Sequence, residues 1–426
     1  RESFSEPARE SFSEPARESF SEPAREPRSE SSPASFRGGR FTLTASLLLA
    51  AWGAGQAADP YPIPDLPVPH SQHEAYPLPT EAAQDVRALA LGRDGHIWAA
   101  TREGVYWLPA DRSAWQRVPA RELSGPTYDV TADPSGSVWV AAWDGLYEVR
   151  NRVGGRRVAG VAGSVKTVAW TRGGLIAGGP EGFYRIEGGR VHAWEPGCTR
   201  YLHRMAAEPG GTLWIATAMG LFQVRHGQGR YLLPEVDAQS IDIRGVAPGL
   251  RGEIWVASLG GVQVWRNDRL HRQFGVGEGL PSADARCIAH APDGSVWVGT
   301  TSGLARYDGQ RWSVRQGRRW LLDNHVRDVV IEVGGAVWVA TAGGVSRLAP
   351  TNLTLLAKAG HFDAALRARH VRPPGIVGSC RLRVPGDLAS WEPEDDDNDG
   401  GYTALYLAME SYRYAATRDP AALASA

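Results

Sequence analysis

DGSVWVGTTSGLARYDG, residues 293–309, alternates turn and strand on a very short period. An Asp-Gly pair begins it, an apolar run around Trp297 follows, Gly303 breaks the run, and a second apolar run ends at another Asp-Gly pair. Turn pairs of this kind between alternating hydrophobic residues read as hairpins. A meander this small cannot bury its own face, so another element must cover it.

The covering element is a copy of the same unit. Six further stretches align with the first without gaps: GHIWAATREGVYWL from Gly95, GSVWVAAWDGLYEV from Gly136, GGLIAGGPEGFYRI from Gly173, GTLWIATAMGLFQV from Gly211, GEIWVASLGGVQVW from Gly252 and GAVWVATAGGVSRL from Gly335. One slot holds Trp98, Trp139, Ile176, Trp214, Trp255, Trp297 and Trp338, at steps of 41, 37, 38, 41, 42 and 41 residues. A second slot is Gly in every copy, from Gly104 to Gly344. Each period has room for four strands: an inner run such as VRDVVIEV, the Trp strand, the strand after the second Gly, and an outer strand such as RWSVRQ. Four strands in about 40–45 residues is the pattern of a propeller blade. The expected fold is all-β, a seven-bladed β-propeller of four-stranded blades over 75–360, followed by a short α-helical C-terminal segment over 361–426. Two segments compete to close the ring: HEAYPLP from His73, as an outer strand of blade seven, or NLTLLAKA after Pro350.

The run GEGLPSADARCIAHAPDGSVWVGTTSGLARYDGQRW closely resembles the two-component-regulator propeller repeat. That repeat opens on GLP, continues with an apolar first strand, and then has G-x-[IL]-W-[IV]-[GA]-T-x-x-G-[LV]. The resemblance extends over the seven copies, is strongest in blades five to seven, and is poorest in blade three, which lacks both Trp and Thr. It implies a periplasmic or extracellular ligand-sensing module, often tied to glycan use. No later membrane helix, kinase or DNA-binding region accompanies it here.

Composition agrees with a β-rich fold and excludes some functions. The chain has 426 residues, 16 Trp, 50 Gly and a formal net charge of −1. A near-neutral balance gives no electrostatic reason to expect nucleic acid. Among the 46 basic residues only Lys166 and Lys358 are lysines. Cys198, Cys287 and Cys380 are too sparse for a disulfide framework and lack metal-ligand spacing. Residues 1–36 are an RESFSEPA octapeptide repeat that cannot build a core and reads as disordered. With no initiator Met and Met205 the first in the chain, the sequence reads as an over-extended frame or a fragment. Residues 37–57 carry a basic flank, an apolar run and a small-x-small end, the three parts of a signal peptide. A periplasmic or secreted protein is expected, with no membrane span beyond that segment. A Pro-rich segment covers 58–74.

Binding on a propeller concentrates at the mouth of the central channel, where the innermost strands begin. Eleven residues before each Trp slot stand Arg87, Tyr128, Val165, His203, Arg244, Arg286 and Arg327. In a closed ring these converge on one axis. Guanidinium forks match carboxylates, and Tyr and His add stacking and proton chemistry. The candidate ligand-binding set is therefore Arg87, Tyr128, His203, Arg244, Arg286 and Arg327, for a carbohydrate or other small anionic ligand. The competing reading is that these Arg side chains merely bridge neighbouring blades. Trp143 and Trp320 offer possible sugar-stacking faces or packing. No cofactor or metal is expected, because no nucleophile elbow, P-loop or dinucleotide fingerprint stands in a credible context.

After Gly360 the blade pattern ends. Residues 402–417 have helical spacing with Asp399 as N-cap, and Asp419-Pro420 opens a second helix. DNDGGYTALYLAMESYRYAATRDP resembles the first hairpin of an (α/α)-toroid of glycan-active enzymes, which would place Asp397, Asn398 and Asp399 at a substrate cleft. An EF-hand reading of Asp395, Asp397 and Asp399 fails because Tyr406 stands where a bidentate Glu is needed. Three functions stay open: a glycan-sensing module, the N-terminal part of a lyase or hydrolase continued in a helical domain, and a protein-interaction platform.

Overall fold

A computed structural model describes residues 63–426 apart from 120–122, 153, 200, 233, 235–237, 250 and 385–386. The octapeptide repeat and the signal segment lie outside the described residues. Among those described, seven four-stranded antiparallel sheets follow one another in chain order. Within each sheet the strands are lettered a to d from the channel outward. Blade six, the unit of the opening quotation, runs Ala285–His290, Val296–Thr300, Gly303–Tyr307 and Trp312–Arg315.

Each turn slot has a local reason. In blade six the Thr300 hydroxyl donates to the Gly303 carbonyl at 2.9 Å and accepts from the Ser302 amide at 3.1 Å. The same bond recurs from Thr101, Thr217, Ser258 and Thr341 to the Gly three residues on. Gly303 has φ 130°, which a side chain would strain.

The Trp slot faces forward around the ring. Trp98 packs with Val130 and Val138 of blade two, Trp214 with Ile254 of blade five, and Trp297 with Val337 and Leu348 of blade seven. Trp338 is wholly buried against Leu89, Ile97 and Tyr106 of blade one. Blade three fills the slot with Ile176, which packs with Leu213, Ile215 and Phe222 of blade four. The core is thus seven inter-blade seams instead of one centre.

Ring closure uses the N-terminal segment. Strand d of blade seven is Pro67–Tyr76, paired antiparallel with Gly344–Thr354 through ten registered residues from Pro67↔Thr354 to Tyr76↔Val345. The propeller therefore reaches back to Pro67, well inside the segment read from sequence as a Pro-rich lead-in, and NLTLLAKA does not serve as the outer strand. Pro67 and Pro69 are tolerated because this strand lies at a sheet edge.

Helix α1 (Glu81–Gln84) links the closing strand to blade one. Helix α2 (Leu355–Arg369) follows blade seven directly, and nothing in the sequence reading anticipated it. Helix α3 (Asp399–Thr417) covers the expected 402–417 but begins earlier, with Asn398 and not Asp399 at its N-cap. Helix α4 (Pro420–Ser425) starts as expected, the Asp419 side chain accepting from the Ala421 amide at 2.9 Å. Two short hairpins lie between α2 and α3. No helix among the described residues is long and apolar enough to cross a membrane.

Because Trp338 fills the seam that closes the ring, Trp338→Ala is expected to cost about 3–5 kcal/mol in chemical denaturation. Ile176→Val, at the seam between blades three and four, is expected to cost only about 0.5–1.5 kcal/mol.

Candidate functional site

Six residues singled out from the repeat, Arg87, Tyr128, His203, Arg244, Arg286 and Arg327, line one cavity of about 230 Å³ at the channel mouth, joined by Arg204 and His325. They converge for a shared backbone reason. The pairing of strands a and b slips by one residue at Val86/Ala88, Thr127/Asp129, Leu202/Arg204, Ile243/Gly245, Ala285/Cys287 and Val326/Asp328. The extra residue of each bulge is the slot residue itself, re-aimed out of the ladder.

Blade three departs from the ungapped alignment. Its turn between strands a and b is one residue shorter, with Ala169 opposite Ile176 where Thr131 stands opposite Trp139 in blade two. The slot consequently falls on Lys166, while Val165 is fully buried. The Lys166 ammonium sits 3.5 Å from the Tyr128 ring centroid, and the Arg87 guanidinium 5.3 Å from the same ring. Tyr128 is thus already engaged by two cations.

The guanidinium groups are held from behind. Two residues before the slot, blades one, five and six carry Asp85, Asp242 and Asp284. Arg327 meets Asp85 at 2.8 Å and Arg87 meets it at 3.5 Å; Arg244 meets Asp242 at 2.8 Å; Arg286 meets Asp284 at 2.6 Å. His203 Nε2 lies 3.0 Å from the other oxygen of Asp242. The bridging role and the ligand-facing role therefore coexist: Arg327 spans blades seven and one, yet the cavity wall shows guanidinium, imidazole and phenol groups and no carboxylate. Buried polar atoms without a protein partner gather here, among them Asp284 Oδ1, Arg286 Nε, Arg327 Nε and Ser164 Oγ. Trp143 and Trp320 do not line this cavity.

Beneath the mouth, one residue deeper on strand a, stand Asp129, Thr167, Arg204 and Asp328. Arg204 reaches across the channel, pairing with Asp129 of blade two and with Asp328 of blade seven at 2.7 Å. Asp328 also accepts from the Leu89 and Val329 amides, and Asp129 from Thr167 and the Val168 and Val130 amides. Burial pushes the Asp328 carboxyl up, and Arg204 opposes the shift. Burial works against the Arg204 charge, but Asp129 and Asp328 outweigh it and hold the proton more firmly than usual. This layer lies directly beneath the mouth and is tied across the channel by Arg204.

Sequence reasoning missed Asp85, Asp242, Asp284, Lys166, Arg204 and His325. The spacing D-x-R, present as DVR, DIR and DAR, was the available signal for the first three. Cys198, Cys287 and Cys380 are all free. Cys287 lies in the floor layer, where burial pushes its thiol up.

Two predictions test this electrostatic scheme. Arg204→Met leaves Asp129 and Asp328 buried and facing each other, at an expected cost of about 3–5 kcal/mol. The loss should shrink as pH falls and the carboxylates protonate, and adding Asp129→Asn and Asp328→Asn should restore most of the denaturation midpoint. The second concerns His203 and His325, both lowered from 6.5, first by burial, then by Arg244 and by Arg327 respectively, with Asp242 pulling the other way on His203. As pH falls below 6.5 the unfolded chain protonates first, so stability supplied at neutral pH is lost. The melting midpoint should drop on acidification, and a His203→Gln, His325→Gln variant should show a shallower slope.

Comparison with known proteins places this architecture. The family description "Two component regulator propeller" matches residues 279–302. No curated protein sequence matches the chain. The extracellular domain of the putative one component system BT4673 from B. thetaiotaomicron is similar at 15% identity and a TM-score of 0.56, over 65% of this chain and 40% of that one. The chain therefore spans well under two thirds of that domain's length. Virginiamycin B lyase from Staphylococcus aureus is similar at 10% identity and 0.56, over 66% of this chain and 99% of that one. The WD40 propeller domain of Doa1 is similar at 15% identity and 0.53, over 66% and 97%. At these identities the likeness is one of fold.

Proposed function

We propose that this two-component-regulator-type propeller is an exported sensor module whose channel mouth holds a small anionic ligand, an acidic carbohydrate. The observation that carries the reading is the cavity wall of five Arg, two His and one Tyr with no carboxylate among them. Export rests on the signal-like residues 37–57 and accords with the extracellular placement printed for the BT4673 domain.

Slot and floor together, six cations (Arg87, Lys166, Arg204, Arg244, Arg286 and Arg327) stand against five carboxylates (Asp85, Asp129, Asp242, Asp284 and Asp328), an excess of one positive charge. A guanidinium clamped by Asp from behind loses little freedom when it meets a ligand, and its outward N–H groups remain oriented. A uronate carboxylate suits that excess, and sugar hydroxyls suit the His and Tyr groups. The cavity volume matches one sugar ring, so a longer chain would rest its remaining units on the rim.

A second reading uses the same residues for chemistry. His203 with Asp242 at 3.0 Å is a base with an orienting carboxylate, and Arg244 beside it is a neutraliser for a substrate carboxylate. A lyase that eliminates across a uronate needs those parts.

Calorimetric titration with uronic-acid and neutral oligosaccharides separates the readings. Uronic acids are expected to bind, more weakly as salt rises, and Arg286→Ala to lower affinity about 10- to 100-fold, the worth of a charge-assisted hydrogen bond. Binding should strengthen below 6.5 as His203 and His325 gain charge. Equal, salt-insensitive binding by wild type and variant overturns the proposal. Appearance of ultraviolet absorbance from a new C=C bond favours the lyase.

A further inference from the structure

A larger groove, about 820 Å³, lies between blades six and seven beside the closing strand and α2, with a lining separate from that of the mouth. Its charged lining is Arg306, Arg315, Arg319 and Lys358 against the single carboxylate of Asp293, a balance of +3 in a chain whose net charge is −1. Asp293 is taken by Arg306 at 2.9 Å. Among the described residues no carboxylate pairs with Arg315, Arg319 or Lys358.

The three arginines lie close to indole rings. The guanidinium carbon of Arg306 lies 5.7 Å from the Trp297 ring centroid and that of Arg315 lies 5.2 Å from it. Arg315 is also 5.8 Å from the Trp320 centroid, and Arg319 is 5.2 Å from the same ring. A guanidinium held against an aromatic ring can still offer N–H groups to oxyanions. Arg315 uses one nitrogen on Ser313, while its Nε is buried without a partner. Holding like charges together costs free energy unless an anion compensates them. Burial first, and Arg306 after it, holds the Arg315 proton less firmly than usual; burial first, then Lys358, His361 and Arg319, lowers His70 at the groove edge.

The edge of the groove argues against a peptide. The Leu66 carbonyl accepts from the Leu355 amide, so residue 66 faces strand c of blade seven and alternation turns positions 67 and 69 outward. Both are Pro, so the outward edge lacks two N–H donors where a strand would add. On the opposite rim Gly334 leaves open space where a side chain would stand. The volume is that of an ordinary small-ligand site, sufficient for more than one sugar ring.

We infer that the groove between blades six and seven is a second binding site, for a polyanionic oligosaccharide whose carboxylate or sulfate groups span Arg315, Arg319 and Lys358. The site shares no residue with the mouth, and it stands whether or not the mouth binds a ligand.

The test uses the full chain in an Arg286→Ala background, so that the mouth contributes little to the signal. Hexagalacturonate and a sulfated hexasaccharide are titrated by calorimetry and by Trp fluorescence, with maltohexaose, hexaglutamate and inorganic sulfate as comparators. Both anionic hexasaccharides are expected to bind and to shift Trp emission. Adding Arg319→Gln and Lys358→Gln, with the melting temperature checked as unchanged, is expected to weaken them at least about tenfold. Unchanged affinity in that variant overturns the proposal, as does equal binding of maltohexaose. Equal binding of hexaglutamate overturns the carbohydrate assignment, and saturation by sulfate alone at the same concentration reduces the groove to a simple anion site and overturns it too.

Discussion

Everything in this ring depends on its last seam being as good as the other six. A propeller left open would expose the edge of blade seven and leave Trp338 without its cover. Closure is made by pairing Pro67–Tyr76 with residues of strand c some 270 positions later in the chain. Loop entropy grows only slowly with such separation, so ten residue pairs and a packed seam are ample return for it. Side chains reinforce the backbone ladder. Tyr76 lies 5.0 Å from Trp338, the Trp115 indole donates to the Tyr76 carbonyl at 3.1 Å, and Arg347 holds Glu74 at 2.9 Å. Arg112 of blade one meets Glu332 of blade seven at 2.7 Å across the same seam. The ring can present convergent groups at its axis because its circumference is fixed here.

At the axis, the same bulge that interrupts the inner ladder of six blades frees one side chain of each for the mouth, and the next residue along lies one step deeper in the channel. Two layers of charge result. In the lower one Arg204 sits between Asp129 and Asp328 and is satisfied within the protein. In the upper one the carboxylates stand behind the guanidinium groups, so positive charge is oriented outward without being neutralised from the front. A buried charge layer of this kind adds little net stability over an apolar one, but it makes any single deletion costly.

The fold was legible because its signals are local. Gly303 and its counterparts, the Thr or Ser hydroxyl three residues earlier, and the forward-facing Trp are all set by hydrogen bonds and packing within or next to one repeat. The six mouth residues were legible for the same reason, as one position in the repeat. Lys166 was not, since a one-residue shortening of the blade-three turn moves the slot without disturbing the hydrophobic pattern. Helix α2 was missed because none of its residues is buried, which leaves no apolar face to read. In α3 the sequence showed the helix but not that Glu410 would be its most buried side chain, held by Arg413 and Arg367.

By itself the sequence determined the number of blades, the strand order of the first six, and, in every blade but the third, which position approaches the axis. Repetition carries that information, because each unit meets the same local geometry and only another unit can cover it. Tertiary structure alone decided which charges meet. The partners of Arg327, Arg204 and His203 lie in other blades, and the distance between two side chains there depends on how the ring closes. Only the folded ring shows that the mouth has cations at its wall and acids behind it, and that Arg315, Arg319 and Lys358 pair with no carboxylate among the described residues.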